Sequence, residues 1–193
     1  RLRNAIHSVA EPLLSGPVQR VLDLGCSVGV STQALARWLN RRPHHKQGPS
    51  VEVIGLDLSP EMLAVARVRD TENLVAEWRH AAAEDTGLVS GSFDLISLQF
   101  VCHELPQSAT HAVLREAARL LRPGGVLVMV DQDPGSSVLQ RLPAAVATLL
   151  KSTEPYIEQY FALDMPTALE QAGFGNLIIG ACDPRHRVIA CLR

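Results

Sequence analysis

The chain has 193 residues, enough for one domain with a real core. Hydrophobic residues make up 47% and charged residues 20%, which is a globular composition and excludes a disordered chain. A net charge of -2 gives no general electrostatic ground for nucleic-acid binding, and no apolar run reaches the roughly 20 residues of a membrane span. Neither a nucleic-acid nor a membrane partner is expected on these grounds.

Arg1 to Ser15 is expected to supply a short covering helix. Short β-branched or Leu-rich runs then alternate with stretches of helical period, the pattern of βαβ units around a parallel sheet. The expected strands are Arg20–Leu24, Val51–Asp57, Leu74–Trp78, Phe93–Gln99 and Val126–Asp131, with helices at Ser31–Asn40, Pro60–Arg69 and Gln107–Leu121. Ser59 before Pro60 is an N-cap followed by a proline at the first helical position. Arg122-Pro123-Gly124-Gly125 is expected to stop the third helix and turn the chain into the next strand.

Arg41 to Ser50 is a polar loop in which His44 and His45 are expected to be solvated. Beyond Asp131 the alternation breaks. Helices are expected at Ser137–Lys151, Pro155–Phe161 and Met165–Ala172, then strands at Asn176–Ala181 and Arg187–Leu192 joined as an antiparallel hairpin. Residues 132–173 form the expected lid or acceptor-binding segment of a single domain, 1–193. Tyr156, Tyr160 and Phe161 have a spacing that suits a pocket wall or, more readily, a buried helix face.

Cys26, Cys102, Cys182 and Cys191 lack the close pairing of a zinc or redox motif. A reducing, cytoplasmic setting is the default expectation. Because the sequence starts at Arg1 without a methionine, an organelle such as a plastid or mitochondrion stays open if a transit peptide has been removed.

Val21 to Thr32, V-L-D-L-G-C-S-V-G-V-S-T, sits where a buried strand hands over to a helix. Gly25 allows close approach of the backbone to a ligand, Ser27 is small, and Gly29 permits the turn. A dinucleotide fingerprint would place glycines where Ser27 and Val30 stand. Asp23 beside the turn disfavours phosphates and suits an ammonium group. Asp57, ending the second strand, is placed to accept hydrogen bonds from ribose hydroxyls. Two acids at adjacent strand ends thus point to an amino-acid-bearing nucleoside rather than NAD.

These residues resemble the Rossmann-like S-adenosylmethionine-dependent methyltransferases, in particular the methyltransferase type 11 group that includes small-molecule and quinone-pathway enzymes. The resemblance runs from about Val18 to Asp131, through V-L-D-L-G-C-S-V-G, V-I-G-L-D-L-S-P-E-M-L, A-E-D-x-x-x-x-x-G-S-F-D-L-I and L-R-P-G-G-V-L in that order. It implies an α/β fold: a seven-stranded, mostly parallel sheet with helices on both faces and a C-terminal antiparallel hairpin. It also implies that Asp23, Gly25, Cys26 and Gly29 cradle the methionine portion, with Ser27 and Gln99 beside them, and that Asp57 holds the ribose between Leu58 and Met62 at the adenine. Ala82 stands where the family often has an acid, followed by Ala83, Glu84 and Asp85, so Glu84 or Asp85 is the expected substitute at the adenine.

Methyl transfer is an in-line displacement that the protein serves by positioning and water exclusion. His103, just past the fourth strand, is the candidate base, with Glu104 as an orienting partner. Asp131, Asp133 and Glu104 match a metal-dependent pattern poorly and are expected to have structural or substrate-contact roles, so no metal is expected. A non-catalytic, methyltransferase-like scaffold module is the competing expectation, since cofactor binding does not establish turnover.

Overall fold

The computed structural model describes residues 2–14, 16–42 and 50–193, together with the side chains beyond residue 5. His44 and His45 lie outside the described residues. The element order is α1 (Leu2–Ala10), β1 (Arg20–Leu24), α2 (Val30–Asn40), β2 (Glu52–Asp57), α3 (Pro60–Arg69), β3 (Glu77–His80), β4 (Phe93–Gln99), a 3₁₀ turn (Cys102–Glu104), α4 (Gln107–Leu120), β5 (Leu121–Gln132), α5 (Ser137–Gln140), α6 (Ala144–Thr153), α7 (Ile157–Ala162), α8 (Met165–Gln171), β6 (Gly175–Ala181) and β7 (His186–Leu192).

Seven strands form one sheet in the order β3-β2-β1-β4-β5-β7-β6. β1 to β5 are parallel, whereas β7 is antiparallel to both β5 and β6. The strand order reverses between β1 and β4, so a crevice opens outside the carboxyl ends of these two strands.

Alternation along each strand feeds two cores. On one face Val21, Val53, Leu95, Val126 and Val128 pack against Leu35, Ala36 and Leu39 of α2 and Ile6, Val9 and Ala10 of α1. On the other face Leu22, Leu24, Ile96, Leu127 and Met129 pack against Val113, Leu114 and Ala117 of α4 and, further on, Tyr160 and Leu169. The expected α/β architecture with its terminal hairpin is therefore the one found.

Three boundaries differ from expectation for identifiable reasons. β3 begins at Glu77 rather than Leu74, because the Asp70 carboxylate takes the N–H groups of Leu74 at 2.9 Å and Val75 at 3.0 Å and holds them in a turn. The expected helix from Ser137 to Lys151 is two helices, with Pro143 capping the second. β5 starts at Leu121 rather than Val126. Gly124, at φ 78, gives its N–H to the Arg193 carbonyl at 2.9 Å, so Arg122 to Gly125 run at the sheet rather than away from it.

Two motifs of the sequence also meet at the base of the sheet. Asp94 accepts the N–H groups of Gln19 at 2.6 Å and Arg20 at 2.8 Å while pairing with Arg122 at 2.7 Å. The F-D-L-I aspartate and the R-P-G-G arginine thus act together to hold the start of β1.

Candidate active site

The turn after β1 is built from backbone bonds directed into the protein. The N–H groups of Gly25 and Cys26 both reach the Leu56 carbonyl, at 2.8 and 2.9 Å, and that of Ser27 reaches Asp57 Oδ2 at 2.7 Å. Gly25 and Gly29 sit at φ 71 and 77, and a Cβ on either would collide with Val101 or with the Trp78 indole, respectively. Ser27 also takes a positive φ, 48, at a cost that the Asp57 bond offsets. These three N–H groups are spent internally, so the turn does not offer them to a pyrophosphate.

Asp23 is 1% exposed, and its Oδ2 accepts the hydroxyls of Ser31 at 2.6 Å and Thr32 at 2.7 Å. Burial raises its pKa, opposed by those two hydroxyls; Ser97 on β4 also pulls it down, although Oδ1 makes no hydrogen bond of acceptable geometry. A buried carboxylate oxygen left unsatisfied is costly, and a nearby cationic group would relieve it.

Each oxygen of Asp57 accepts one backbone N–H, from Ser27 and from Ser59 at 2.9 Å, and keeps a second lone pair for a hydroxyl. Beyond it Leu58 is 68% and Met62 41% exposed, two apolar side chains in the open at the tip of β2, as a wall for a planar base requires. Ala83 is half-buried while Glu84 and Asp85 are exposed. Gln99 donates to Ser97 Oγ at 2.8 Å, and with Ser31, Ala34, Leu35, Ile6 and His7 it lines a small pocket under α1.

Cys26 is buried, with its Sγ 3.1 Å from where a Cβ on Gly55 would stand. Its side chain packs the inside of the turn. The orphaned Asp23 oxygen, the open lone pairs of Asp57 and the exposed Leu58 and Met62 together fit S-adenosylmethionine, a nucleoside carrying an ammonium and a sulfonium.

The tips of β4 and β5 hold the second half of the site. His103 is 6% exposed, and its Nδ1 lies 2.6 Å from Asp131 Oδ1. Asp131 thus holds the His103 ring by a hydrogen bond, while Glu104, the expected orienting partner, is exposed beside it. Burial alone would lower the His103 pKa, but the Asp131 hydrogen bond and charge, helped by Glu154 and Glu104, raise it. Burial raises the Glu104 carboxyl, against the pull of His103, and Glu154 and Asp131 push it the same way. Asp133 Oδ1 accepts the Gly135 N–H at 2.9 Å and shapes the turn after β5.

Tyr160 is 2% exposed and donates to the Gln132 carbonyl at 2.8 Å, which makes it a core residue rather than a pocket wall. Among the described residues, His103, Glu104 and Glu154 bring three possible ligand atoms within 4.8 Å of one another. The sequence reading missed Glu154, Trp78 and Val101. Trp78 and Val101 could have been suspected from the glycines they press against, whereas nothing in the local pattern marks Glu154.

A cleft at the strand-order reversal, an acid at each of two neighbouring strand tips and a glycine turn with its N–H groups turned inward define a Rossmann-like, S-adenosylmethionine-dependent methyltransferase. The chain matches the methyltransferase domain family over residues 21–125 and belongs to that family.

It is 32% identical over 164 residues to an uncharacterized methyltransferase of Synechocystis, covering 85% of this chain and 70% of that one. It is 33% identical over 140 residues to a ubiquinone biosynthesis O-methyltransferase of Xanthomonas campestris, covering 72% of this chain and 50% of the relative. It thus spans about half the length of that enzyme. In fold it is similar to an S-adenosylmethionine-dependent methyltransferase of Mesorhizobium loti, with TM-score 0.67 at 20% identity and all of both chains covered. It is also similar to Haemonchus contortus phosphoethanolamine N-methyltransferase 2 solved with S-adenosylmethionine, with TM-score 0.73 at 17% identity over 98% of this chain and 52% of that one. No helix among the described residues is long and apolar enough to cross a membrane.

Proposed function

We propose that the acceptor is a small molecule bound at the tips of β4 and β5, and that His103, held by Asp131, takes its proton. S-adenosylmethionine, when bound, supplies an electrophilic methyl group on a sulfonium. Asp23, the turn from Gly25 to Gly29 and Asp57 hold and orient the cofactor, and Ala83, Glu84 and Asp85 border the adenine side. Residues 132–173 cover the acceptor side and exclude water.

The observation that carries this reading is the 2.6 Å contact between His103 Nδ1 and Asp131, which fixes the tautomer with its proton on Nδ1 and leaves Nε2 as the base. The likeness to O-methyltransferases supports an acceptor that keeps its proton at neutral pH, such as a hydroxyl. His103 Nε2 would accept the hydroxyl proton of the acceptor, leaving the acceptor oxygen as the nucleophile for the methyl group that S-adenosylmethionine would supply.

The test uses methyl-labelled S-adenosylmethionine with fractionated small-molecule extracts to find the acceptor, then His103→Ala on that acceptor. Turnover should fall by roughly 10²–10⁴-fold while calorimetry finds cofactor affinity within about twofold of wild type. Undiminished turnover would remove His103 from the reaction.

A further inference from the structure

We propose that Glu154 is a positioning residue for His103, the carboxylate through which the proton taken from the acceptor leaves the site. This rests on the reading of His103 as the base. The two ring nitrogens face opposite surroundings. Nδ1 meets Asp131, whose side chain is 5% exposed, so this side is closed. Nε2 faces Glu154 Oε2 at 3.8 Å, and the Glu154 side chain is 27% exposed, so this side leads to water.

The groups around the ring are Asp131 from β5, Glu104 from the 3₁₀ turn, Glu154 and Tyr160 from the α6–α7 region and, through Asp131 and Tyr160, Arg187 from β7. An imidazole set among three carboxylates keeps a proton well, so a second turnover needs a way to release it.

Glu154 is placed to move. It caps α6, a helix with no buried residue, while the next element, α7, is anchored by Ile157 and Tyr160. Its present separation from Nε2 is roughly 1 Å beyond hydrogen-bond length, a gap that a shift of an unpacked helix end can close. In the sequence the acceptor loses a proton to Nε2, the imidazolium passes it to the Glu154 carboxylate, and the carboxylic acid gives it to water. Asp131 keeps its hydrogen bond from Nδ1–H throughout.

Ring ¹⁵N NMR on the whole chain, without any acceptor, tests this through the exchange of the His103 Nε2 proton with water at a pH where the ring is protonated. Exchange should be about tenfold slower in Glu154→Gln than in wild type, intermediate in Glu154→Asp and near wild type in Glu104→Gln. Glu154→Ala serves if Glu154→Gln misfolds. Equal exchange in wild type and a folded Glu154 variant overturns the proposal. So does stoichiometric Zn²⁺ binding that Glu154→Gln abolishes, because it would make the three groups a metal site. If exchange slows while His103→Ala turns over normally, the base assignment fails and the proton contact stands. If exchange is unchanged while His103→Ala is inactive, the exit alone fails.

Discussion

The cofactor half and the proposed acceptor half of this molecule are held by different means. Around β1 and β2 a few carboxylates hold backbone: Asp57 fixes Ser27 and Ser59, and Asp94 fixes Gln19 and Arg20. Around α5 to α8 the holding groups are a few buried side chains, Ile157, Tyr160, Met165 and Leu169, and α6 between them and β5 has none. The first arrangement gives a rigid cradle for a constant ligand. The second, in the proposed acceptor-side segment, leaves α6 free of buried anchors.

The sharpest way to break that contrast is to truncate one anchored and one unanchored side chain of the acceptor half. Tyr160→Ala removes a ring that is 2% exposed and a hydrogen bond to Gln132, and should cost about 3–5 kcal/mol in denaturant unfolding. Leu149→Ala, at a residue 63% exposed on α6, should stay within about 0.5 kcal/mol of wild type. A large loss from Leu149→Ala would mean that α6 is packed.

In the cofactor half, Gly29→Ala meets both left-handed backbone, φ 77, and the Trp78 indole. It should cost about 2–4 kcal/mol and abolish cofactor binding measured by calorimetry. Tolerance of this change with normal affinity would contradict a rigid turn.

The smallest expected effect concerns how the loop after β3 is tied to α4. Glu116 Oε1 accepts the Thr86 hydroxyl at 2.6 Å and both its oxygens meet Arg119. Arg119, against the opposing effect of burial and with help from Thr86, holds the carboxyl at about 2, below its usual 4.5. A depressed folded-state pKa gives stability that is complete above about pH 4.5 and is lost as pH falls towards 2. Because the Arg119 side chain is 38% exposed, about 1–2 kcal/mol is expected rather than the full linkage value. Glu116→Gln should remove that share of the acid-induced loss, and an unchanged acid profile would show the network to be idle.

The cofactor half was legible in the sequence because its determinants are local. The glycines, Asp23 and Asp57 are read from spacing within one turn or one strand, and the alternation of strand-like runs with helical stretches gave the βαβ pattern of the parallel sheet. Asp94 and Arg122 were visible as motif letters, but their pairing over the start of β1 needs the fold. The acceptor half was less legible because its contacts are long-range. His103 was found beside its strand, yet its partner lies 28 positions away on β5, and Glu154 meets it from the C-terminal cap of α6. Asp70 moved the start of β3 in the same way, through a side-chain bond that periodicity does not register.

The most direct test is calorimetric titration of the folded chain with S-adenosylmethionine, alongside Asp57→Asn and Asp23→Asn. One equivalent should bind to wild type, with affinity reduced about tenfold or more in each variant, since each loses one charge-assisted contact to the ligand. A folded wild-type chain that takes up no cofactor, or variants that bind it as tightly as wild type, would contradict the assignment of the cleft.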